Sequence, residues 1–138
     1  MSAIAFVLHG QGALVTGSDV RPSSRTRRLE QIGISIAYGH HPENQAGADK
    51  VVYSTDVPKD NVELQAARTR GAQVVHRSEM LAEILARGRG ICVTGTHGKT
   101  TTTSMISALL IEGGLDPSVV VGGEIGRASC RERVCHNV

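Results

Sequence analysis

The chain has 138 residues, with 15 basic and 13 acidic side chains, a net charge of +2, and two tyrosines and one phenylalanine as its aromatic residues. The small charge and the scarcity of base-stacking rings argue against a nucleic-acid-binding surface. The sequence has no apolar stretch long enough to span a bilayer and no signal-peptide pattern, and its three cysteines make no disulfide framework, which is typical of a protein in a reducing compartment.

Short apolar runs alternate with helical segments, as in a parallel sheet flanked by helices. This alternation predicts an α/β fold, and the sequence gives no indication of oligomeric state. In chain order, the predicted elements are a helix at 2–9, a strand at 14–16, a helix at 24–32, strands at 35–37 and 50–53, a helix at 61–70, a strand at 73–75 and a helix at 78–86, which Ser78 is expected to cap. The polar run at 87–90 is predicted to be the link between two domains.

Polar side chains follow two of the predicted strands. Ligands of open parallel sheets collect at the carboxyl ends of the strands, which selects Ser18, Asp19, Ser54 and Thr55 as candidate ligand contacts. Two interpretations of Ser18 and Asp19 stay open, because these residue types also cap turns. His76 and Arg77 lie at a third strand end, either as ligand contacts or as the entry to a helix.

A glycine-rich loop, Gly95-Thr96-His97-Gly98-Lys99-Thr100-Thr101-Thr102, lies between two regular elements. The apolar run before it, 91–94, is predicted to be a buried strand. The segment after it is predicted to be a helix, because four apolar residues recur there at helical spacing: Met105, Ile106, Leu109 and Leu110. Strand, glycine loop and helix in this order are the context of a phosphate-binding loop.

Each residue type in this loop suits the binding of a polyphosphate. Gly95 and Gly98 let the backbone approach the phosphate oxygens, and the first amides of the helix add the positive end of its dipole. Lys99 supplies a cation for the β- and γ-phosphates, and the Thr100 hydroxyl suits a magnesium ion that bridges them. The pattern G-x-x-G-K-T is a shorter variant of G-x-x-x-x-G-K-[ST], which has glycine where Val93 stands, and the alternative interpretation is a solvated turn.

The string GTHGKTTTT, with RSEMLAEIL before it and GGLDPSVVVGG after it, resembles the Mur ligases, which build the peptide of bacterial peptidoglycan. The resemblance extends from Met1 to about Gly123. Sister members of the family generally carry asparagine where His97 stands, so the resemblance implies either the branch that joins L-alanine to UDP-N-acetylmuramate or the relative that recycles murein tripeptide. The stretch at 15–83 favours the alanine-adding branch.

The resemblance implies a specific domain organisation. Residues 1–87 are expected to form a Rossmann-like, parallel-sheet domain that lacks its first strand and binds UDP-N-acetylmuramate at the four strand-end residues named above. Residues 88–123 are expected to begin the central ATP-binding domain with a strand, the P-loop and a helix.

The resemblance also implies the site residues and the chemistry. ATP is expected to bind Gly95, Thr96, His97, Gly98, Lys99, Thr100 and Thr101, with Lys99, Thr100 and His97 catalytic and Mg²⁺ at Thr100. The family reaction passes through an acyl phosphate on the muramoyl carboxylate, which the amine of L-alanine attacks in the bacterial cytoplasm.

The two ends of the chain carry expectations of their own. Family members have three domains, and the G-x-G-G-x-G loop expected before the first helix is absent, so Met1 is interpreted as an internal methionine of a longer protein and the chain as an inactive fragment. Residues 124–138 are expected to be a non-native tail, because the run at 125–134 resembles a translated sequencing adapter. For that reason no metal site is assigned to Cys130, Cys135 and His136.

Two other functional classes remain alternatives. A nicotinamide-dependent oxidoreductase accounts for the alternating sheet and for Asp19, but it requires a G-x-G-x-x-G motif that the chain lacks. A P-loop ATPase with another substrate accounts for the loop at 95–102 but not for the first domain.

Overall fold

The computed structural model describes residues 1–121 and 124–127, the last four by their backbone alone. The chain divides into two compact units, and the division falls between Gly90 and Ile91. This is three residues beyond the predicted domain boundary. Each unit is described by itself.

Unit 1, residues 1–90, alternates helices with parallel strands. Its elements are α1 (Ser2–Gly10), β1 (Thr16–Asp19), α2 (Ser24–Gln31), β2 (Ser35–Tyr38), a short 3-10 helix (Pro42–Gln45), β3 (Lys50–Tyr53), α3 (Val62–Thr69), β4 (Gln73–His76) and α4 (Arg77–Ala86). The predicted helices are confirmed to within two residues at each end.

The strands of unit 1 pair in parallel, as expected of a Rossmann-like fold. β1 pairs with β2 from Thr16↔Ser35 to Asp19↔Tyr38, and β3 pairs with β4 from Lys50↔Gln73 to Tyr53↔His76. The two pairs are separate two-stranded sheets, since β1 and β3 are not hydrogen-bonded neighbours. The candidate ligand contacts lie at the carboxyl ends of two of these strands: Ser18 and Asp19 end β1, and Ser54 and Thr55 follow β3.

The core of unit 1 lies between its helices and the second strand pair. Ile4 of α1, Val75 of β4 and Met80 of α4 form a buried cluster, and half-buried apolar side chains pack against it from the same elements and from β3. Met80 is 2% exposed. Burial of this apolar area is the main term that holds α1 and α4 against the strands.

Polar side chains fix the starts of three helices. Ser23 and Thr26 form a reciprocal capping box at the start of α2. Asn61 accepts from the backbone of Glu63 at the start of α3, and His76 accepts from the backbone of Ser78 at the start of α4. The predicted cap of α4 was therefore wrong, because the helix begins at Arg77 and Ser78 lies in its first turn.

The first predicted strand was also wrong. The apolar residues at 14 and 15 suggested a strand at 14–16, but Leu14 is 98% exposed and β1 begins only at Thr16. The strand TGSD is polar, and its backbone pairing with β2 defines it. Ser18 and Asp19, expected on a loop, are therefore the last two residues of the strand.

Within unit 2 the structure describes α5 (Lys99–Glu112), β5 (Ser118–Val121) and β6 (Glu124–Arg127). The helix expected after the glycine loop is confirmed. β5 and β6 pair antiparallel, with Val121 opposite Glu124. The expected tail thus begins with a backbone strand, whereas Cys130, Cys135 and His136 lie outside the described residues.

The strand predicted at 91–94 does not form. These four residues make no strand pairing among the described residues, and Ile91 is 59% exposed. A strand needs a neighbour for its backbone groups, and the apolar run alone does not provide one. Two of the four residues of the predicted apolar face of α5 are also exposed in the described part of the chain, since Met105 is 64% and Leu109 is 73% exposed.

No helix in the described part of the chain is both long and apolar enough to cross a membrane.

Candidate functional site

The glycine loop turns sharply into α5. Gly98 is the N-cap of this helix and has φ +76°, a left-handed conformation that a residue with a side chain adopts only with strain. Gly95 has φ +150°, also on the positive side. A Cβ placed on Gly98 meets nothing within 4 Å, so the space beside the helix start is open.

The Lys99 ammonium folds back over this loop. Its Nζ donates to the carbonyl oxygen of Gly95 at 2.5 Å and to that of Thr96 at 3.1 Å. An ammonium has three N–H donors, so one of them is free for a further acceptor. The loop thus places one positive charge next to the uncapped amides at the start of α5.

The other predicted loop residues are all exposed: Thr96, His97, Thr100 and Thr101. Thr100 and Thr101 lie in the first turn of α5, and no hydrogen bond engages the side chain of Thr100 or of His97 among the described residues. The structure therefore brings the Lys99 ammonium to the loop backbone and leaves the Thr100 hydroxyl accessible. It gives His97 no partner that indicates a role as a base.

The donor set of this loop fits a phosphate and a magnesium ion in part. Backbone amides, an ammonium and an open space suit phosphate oxygens. Mg²⁺ is usually held by one or two protein oxygens together with phosphates and waters, and the Thr100 hydroxyl is one such oxygen. No group of three or more histidine, cysteine or carboxylate side chains is arranged for a metal ion within the described residues.

The strand-end residues of β1 are already engaged by the protein. One carboxylate oxygen of Asp19 accepts from the backbone N–H of Arg21 at 3.3 Å, which favours the turn-capping interpretation of Asp19. The Ser18 hydroxyl donates to Oε2 of Glu63 at 2.6 Å. Binding of a ligand by Ser18 or Asp19 remains a prediction.

A second polar cluster lies at the ends of β3 and β4. Ser54 and Thr55 follow β3 directly, as predicted, and the Thr55 hydroxyl lies 3.0 Å from Nε2 of His76. Nδ1 of His76 lies 2.7 Å from the Ser78 hydroxyl and accepts from the Ser78 backbone N–H at 3.3 Å. Because Nδ1 accepts, the neutral ring carries its proton on Nε2 and donates to Thr55. His76 therefore serves the helix entry, the second of its two interpretations.

Sequence reasoning missed Glu63, which is the centre of a buried polar network. The residue is 8% exposed. Besides the bond from Ser18, its other oxygen, Oε1, accepts from Nδ2 of Asn44 at 2.7 Å, and Nδ1 of His40 and the backbone N–H of His41 each lie 3.3 Å from it. Glu63 thus links the end of β1, the segment after β2 and the start of α3.

This network sets the charge state of Glu63. Burial acts to raise the pKa of the carboxyl, but the hydrogen bonds from Ser18, Asn44 and His40 outweigh it, so that the pKa lies below its ordinary value. Glu63 is therefore a carboxylate at neutral pH. One signal in the sequence points to it, because Glu63 shares the buried face of α3 with Leu64 and Ala67.

Two stretches of the sequence match known protein families. Residues 1–89 match the family described as "Mur ligase family, catalytic domain", and residues 93–134 match the "Mur ligase middle domain". The chain belongs to the Mur ligase family. The second match extends into the segment after residue 123, where the family resemblance was expected to stop.

Three curated relatives of this Mur ligase chain share the name UDP-N-acetylmuramate–L-alanine ligase. The chain is 56% identical over 126 residues to the ligase of Symbiobacterium thermophilum, covering 91% of this chain and 26% of that protein. It is 52% identical over 125 residues to the ligase of that name from Gloeobacter violaceus, covering 91% and 27%. It is 48% identical over 134 residues to the ligase of that name from Aromatoleum aromaticum, covering 97% of this chain and 28% of that protein. The chain thus spans less than a third of the length of these relatives.

A solved structure gives the same family. The crystal structure of the UDP-N-acetylmuramate-alanine ligase from Thermotoga maritima superimposes with a TM-score of 0.81 at 34% sequence identity, covering 88% of this chain and 29% of that protein. The Rossmann-like first domain predicted for this Mur ligase chain is consistent with that match.

Proposed function

We propose that this chain is part of an ATP-dependent ligase that joins L-alanine to UDP-N-acetylmuramate in peptidoglycan synthesis. The observation that carries the proposal is the loop at 95–99, which turns into α5 through a left-handed Gly98 and holds the Lys99 ammonium over its own carbonyls. This loop occurs in a chain about half identical to proteins named as that ligase.

The glycine loop is proposed to hold the β- and γ-phosphates of ATP. The free amides at the start of α5 donate to the phosphate oxygens, and the free N–H of Lys99 donates to the γ-phosphate. Phosphoryl transfer requires positioning and charge neutralisation more than covalent help from the protein, and these residues supply both. His97 is proposed to contact a γ-phosphate oxygen, and Thr96 and Thr101 complete the loop.

Thr100 is the residue of this loop that suits Mg²⁺, through its hydroxyl oxygen. A Mg²⁺ ion held there would supply positive charge that offsets the charge of the ATP phosphates.

The proposed reaction has two steps. An oxygen of the muramoyl carboxylate attacks the γ-phosphorus of ATP and the bond to ADP breaks, which gives an acyl phosphate. The amine of L-alanine then attacks the acyl carbon, loses a proton, and inorganic phosphate leaves. The contribution of unit 2 is to neutralise the phosphate charge in the first step, chiefly through Lys99.

Unit 1 is proposed to bind the UDP-sugar at the carboxyl ends of its strands. The candidate contacts are Ser18, Asp19, Ser54 and Thr55, which lie at the ends of β1 and β3. We place the reaction in the bacterial cytoplasm, as the family resemblance implies. We expect the isolated chain not to complete the reaction, since it spans 26% to 28% of the relatives' length.

The proposal is tested in a chimeric ligase. Residues 1–121 of this chain replace the aligned part of the Symbiobacterium thermophilum ligase, and phosphate release is measured as each component is omitted in turn. We expect release only when ATP, Mg²⁺, UDP-N-acetylmuramate and L-alanine are all present. Direct binding of UDP-N-acetylmuramate to the 138-residue chain is measured in parallel by calorimetry.

Two outcomes contradict the proposal. A folded chimera that releases phosphate equally well with UDP-N-acetylglucosamine, which lacks the carboxylate, shows that unit 1 does not select the muramoyl substrate. A folded chimera without activity, alongside an active parent ligase, shows that this chain does not provide the functions proposed for it.

A further inference from the structure

We propose that Glu63 is a positioning residue that turns Ser18 and His40 into hydrogen-bond acceptors for the uridine part of the substrate. The inference rests on the function proposed above. It concerns whether the polar side chains of the strand-end site donate or accept hydrogen bonds toward a ligand. Serine and histidine can do either, so their identity alone does not decide this.

The first step of the argument concerns the Ser18 hydroxyl. A hydroxyl has one hydrogen to donate and two lone pairs. The hydrogen of Ser18 is committed to Oε2 of Glu63 at 2.6 Å, and an ionised carboxylate has no hydrogen to give in return. Toward any ligand, Ser18 therefore acts as an acceptor.

The second step concerns the tautomer of His40. Its Nδ1 lies 3.3 Å from Oε1 of Glu63, so Nδ1 carries the hydrogen of the neutral ring. Nε2 is then left with a lone pair and no partner among the described residues. The His40 side chain is 31% exposed, which leaves it accessible to a ligand. Glu63 thus makes His40 an acceptor as well.

The third step concerns why Glu63 holds this arrangement. Its side chain is 11% exposed, and Oε1 also accepts from Nδ2 of Asn44 at 2.7 Å. Asn44 donates to the carbonyl of Gly39 as well, at 2.8 Å, which fixes the segment that carries His40. Four donors around one buried carboxylate restrict its rotation and its protonation, so the polarity of both partners is set before a ligand arrives.

Two acceptors at a strand-end site select a ligand with donors. A uridine offers the N3–H of its base and the two hydroxyls of its ribose, whereas the diphosphate offers acceptors alone. A phosphate oxygen placed at Ser18, or at Nε2 of a His40 ring that carries its hydrogen on Nδ1, would meet only lone pairs. We therefore assign these two acceptors to the nucleoside of UDP-N-acetylmuramate in preference to its diphosphate.

The experiment has two arms. In the first, the 138-residue chain is labelled with ¹⁵N-histidine and the His40 ring is assigned by its loss in His40→Asn. At mildly alkaline pH we expect the Nδ1–H tautomer in the wild-type chain and a shift toward the Nε2–H tautomer in Glu63→Gln. An Nε2–H tautomer in the wild type, or no change in Glu63→Gln, overturns the inference whatever the activity of the chain.

In the second arm, Glu63→Gln is placed in the chimeric ligase. We expect KM for UDP-N-acetylmuramate to rise by about tenfold or more, the effect of losing one charge-assisted hydrogen-bond arrangement, with kcat and KM for ATP unchanged. Affinity for UDP should also fall less on N3-methylation or 2′-deoxygenation in Glu63→Gln than in the wild type. Glu63→Asp, which keeps the charge, should recover part of the affinity.

Glu83→Gln is the matched control, since it removes an equivalent charge from the ion pair that Glu83 makes with Lys50 at 2.6 Å, outside this network. An active chimera in which Glu63→Gln leaves KM for UDP-N-acetylmuramate unchanged overturns the inference and leaves the proposed function standing. A folded but inactive wild-type chimera counts against the proposed function, and the tautomer then decides the part played by Glu63.

Discussion

The Ser18 hydroxyl donates a 2.6 Å hydrogen bond to Oε2 of Glu63, a residue 45 positions further along the chain. This bond joins the carboxyl end of β1 to the first turn of α3. Together with the bonds from Asn44 and His40, it makes a single buried carboxylate the junction of three segments of unit 1. The stability of this unit should therefore depend on the ionisation of Glu63.

We predict an acid-dependent loss of stability that Glu63→Gln reduces. The folded-state pKa of Glu63 lies below its ordinary value, so the carboxylate contributes stability that is fully present above the ordinary, unfolded-state pKa and is lost as pH falls through the folded-state pKa. Urea unfolding of unit 1 is measured across the acid range. Glu63→Gln should be less stable than the wild type at neutral pH. Its free energy of unfolding should also fall less than that of the wild type when the pH is lowered.

The control for this prediction is Glu83→Gln on the surface of α4. Its ion pair with Lys50 is partly exposed and screened by solvent, so its removal should change stability little. If the stability of the wild type and of Glu63→Gln changes with pH to the same extent, the hydrogen bonds to Glu63 do not favour its ionised form.

Two apolar residues of unit 1 should respond very differently to truncation. Met80 is 2% exposed in the core cluster, whereas Leu14 is 98% exposed in the loop before β1. We predict that Met80→Ala lowers the free energy of unfolding by about 2 to 5 kcal/mol. Leu14→Ala should change it by less than about 0.5 kcal/mol. Equal losses for the two variants, measured by urea unfolding, would indicate that Leu14 belongs to a buried strand.

Local patterns in the sequence predicted most elements of unit 1, because helical spacing and short apolar runs are set by neighbouring residues. The pattern failed where pairing decides the structure. Leu14 belongs to an apolar run that is not a strand, while the polar residues Thr16–Asp19 form β1 because β2 lies beside them. The run at 91–94 is apolar as well, but no strand pairs with it among the described residues.

The candidate site was predictable to the same limited extent. The glycine loop at 95–102 is contiguous in sequence, so its turn into a helix follows from a local motif. The Glu63 network is assembled from segments 19 to 45 residues apart, and no local pattern records which carboxylate the Ser18 hydroxyl meets. The helix cap by His76 was also missed, because serine is the commoner capping residue.

Lys99→Ala should abolish turnover of the chimeric ligase and leave UDP-N-acetylmuramate binding within about twofold of the wild type. The ammonium is the cation that contacts the loop backbone, and loss of one such charge in phosphoryl transfer commonly lowers kcat by about 100-fold or more. Rates come from phosphate release and binding from calorimetry. Lys59→Ala, on an exposed turn of unit 1, is the control and should change neither turnover nor UDP-N-acetylmuramate binding. Parallel loss of UDP-sugar binding in Lys99→Ala would contradict separate sites for the two ligands.

Gly98→Ala should strain the start of α5. A residue with a Cβ at φ +76° costs about 1 to 2 kcal/mol, although the space around the position is open. The loop should relax away from its turn, and KM for ATP in the chimera should rise. Gly88→Ala is the control, since its Cβ also meets nothing within 4 Å and its φ lies outside the left-handed range. An unchanged KM for ATP in Gly98→Ala would show that the left-handed turn is not needed for nucleotide binding.

Thr100→Val should weaken the dependence on Mg²⁺ specifically. Valine keeps the shape and β-branching of threonine but removes the hydroxyl oxygen, the atom of this loop suited to the ion. We expect the Mg²⁺ concentration for half-maximal phosphate release to rise several-fold in the chimera, while Thr100→Ser, which keeps the oxygen, stays close to the wild type. Thr102→Val is the matched control, because Thr102 is also exposed on the first turns of α5. If Thr100→Val and Thr102→Val respond alike, the change reflects the altered helix surface, and the magnesium ligand must be sought outside this loop.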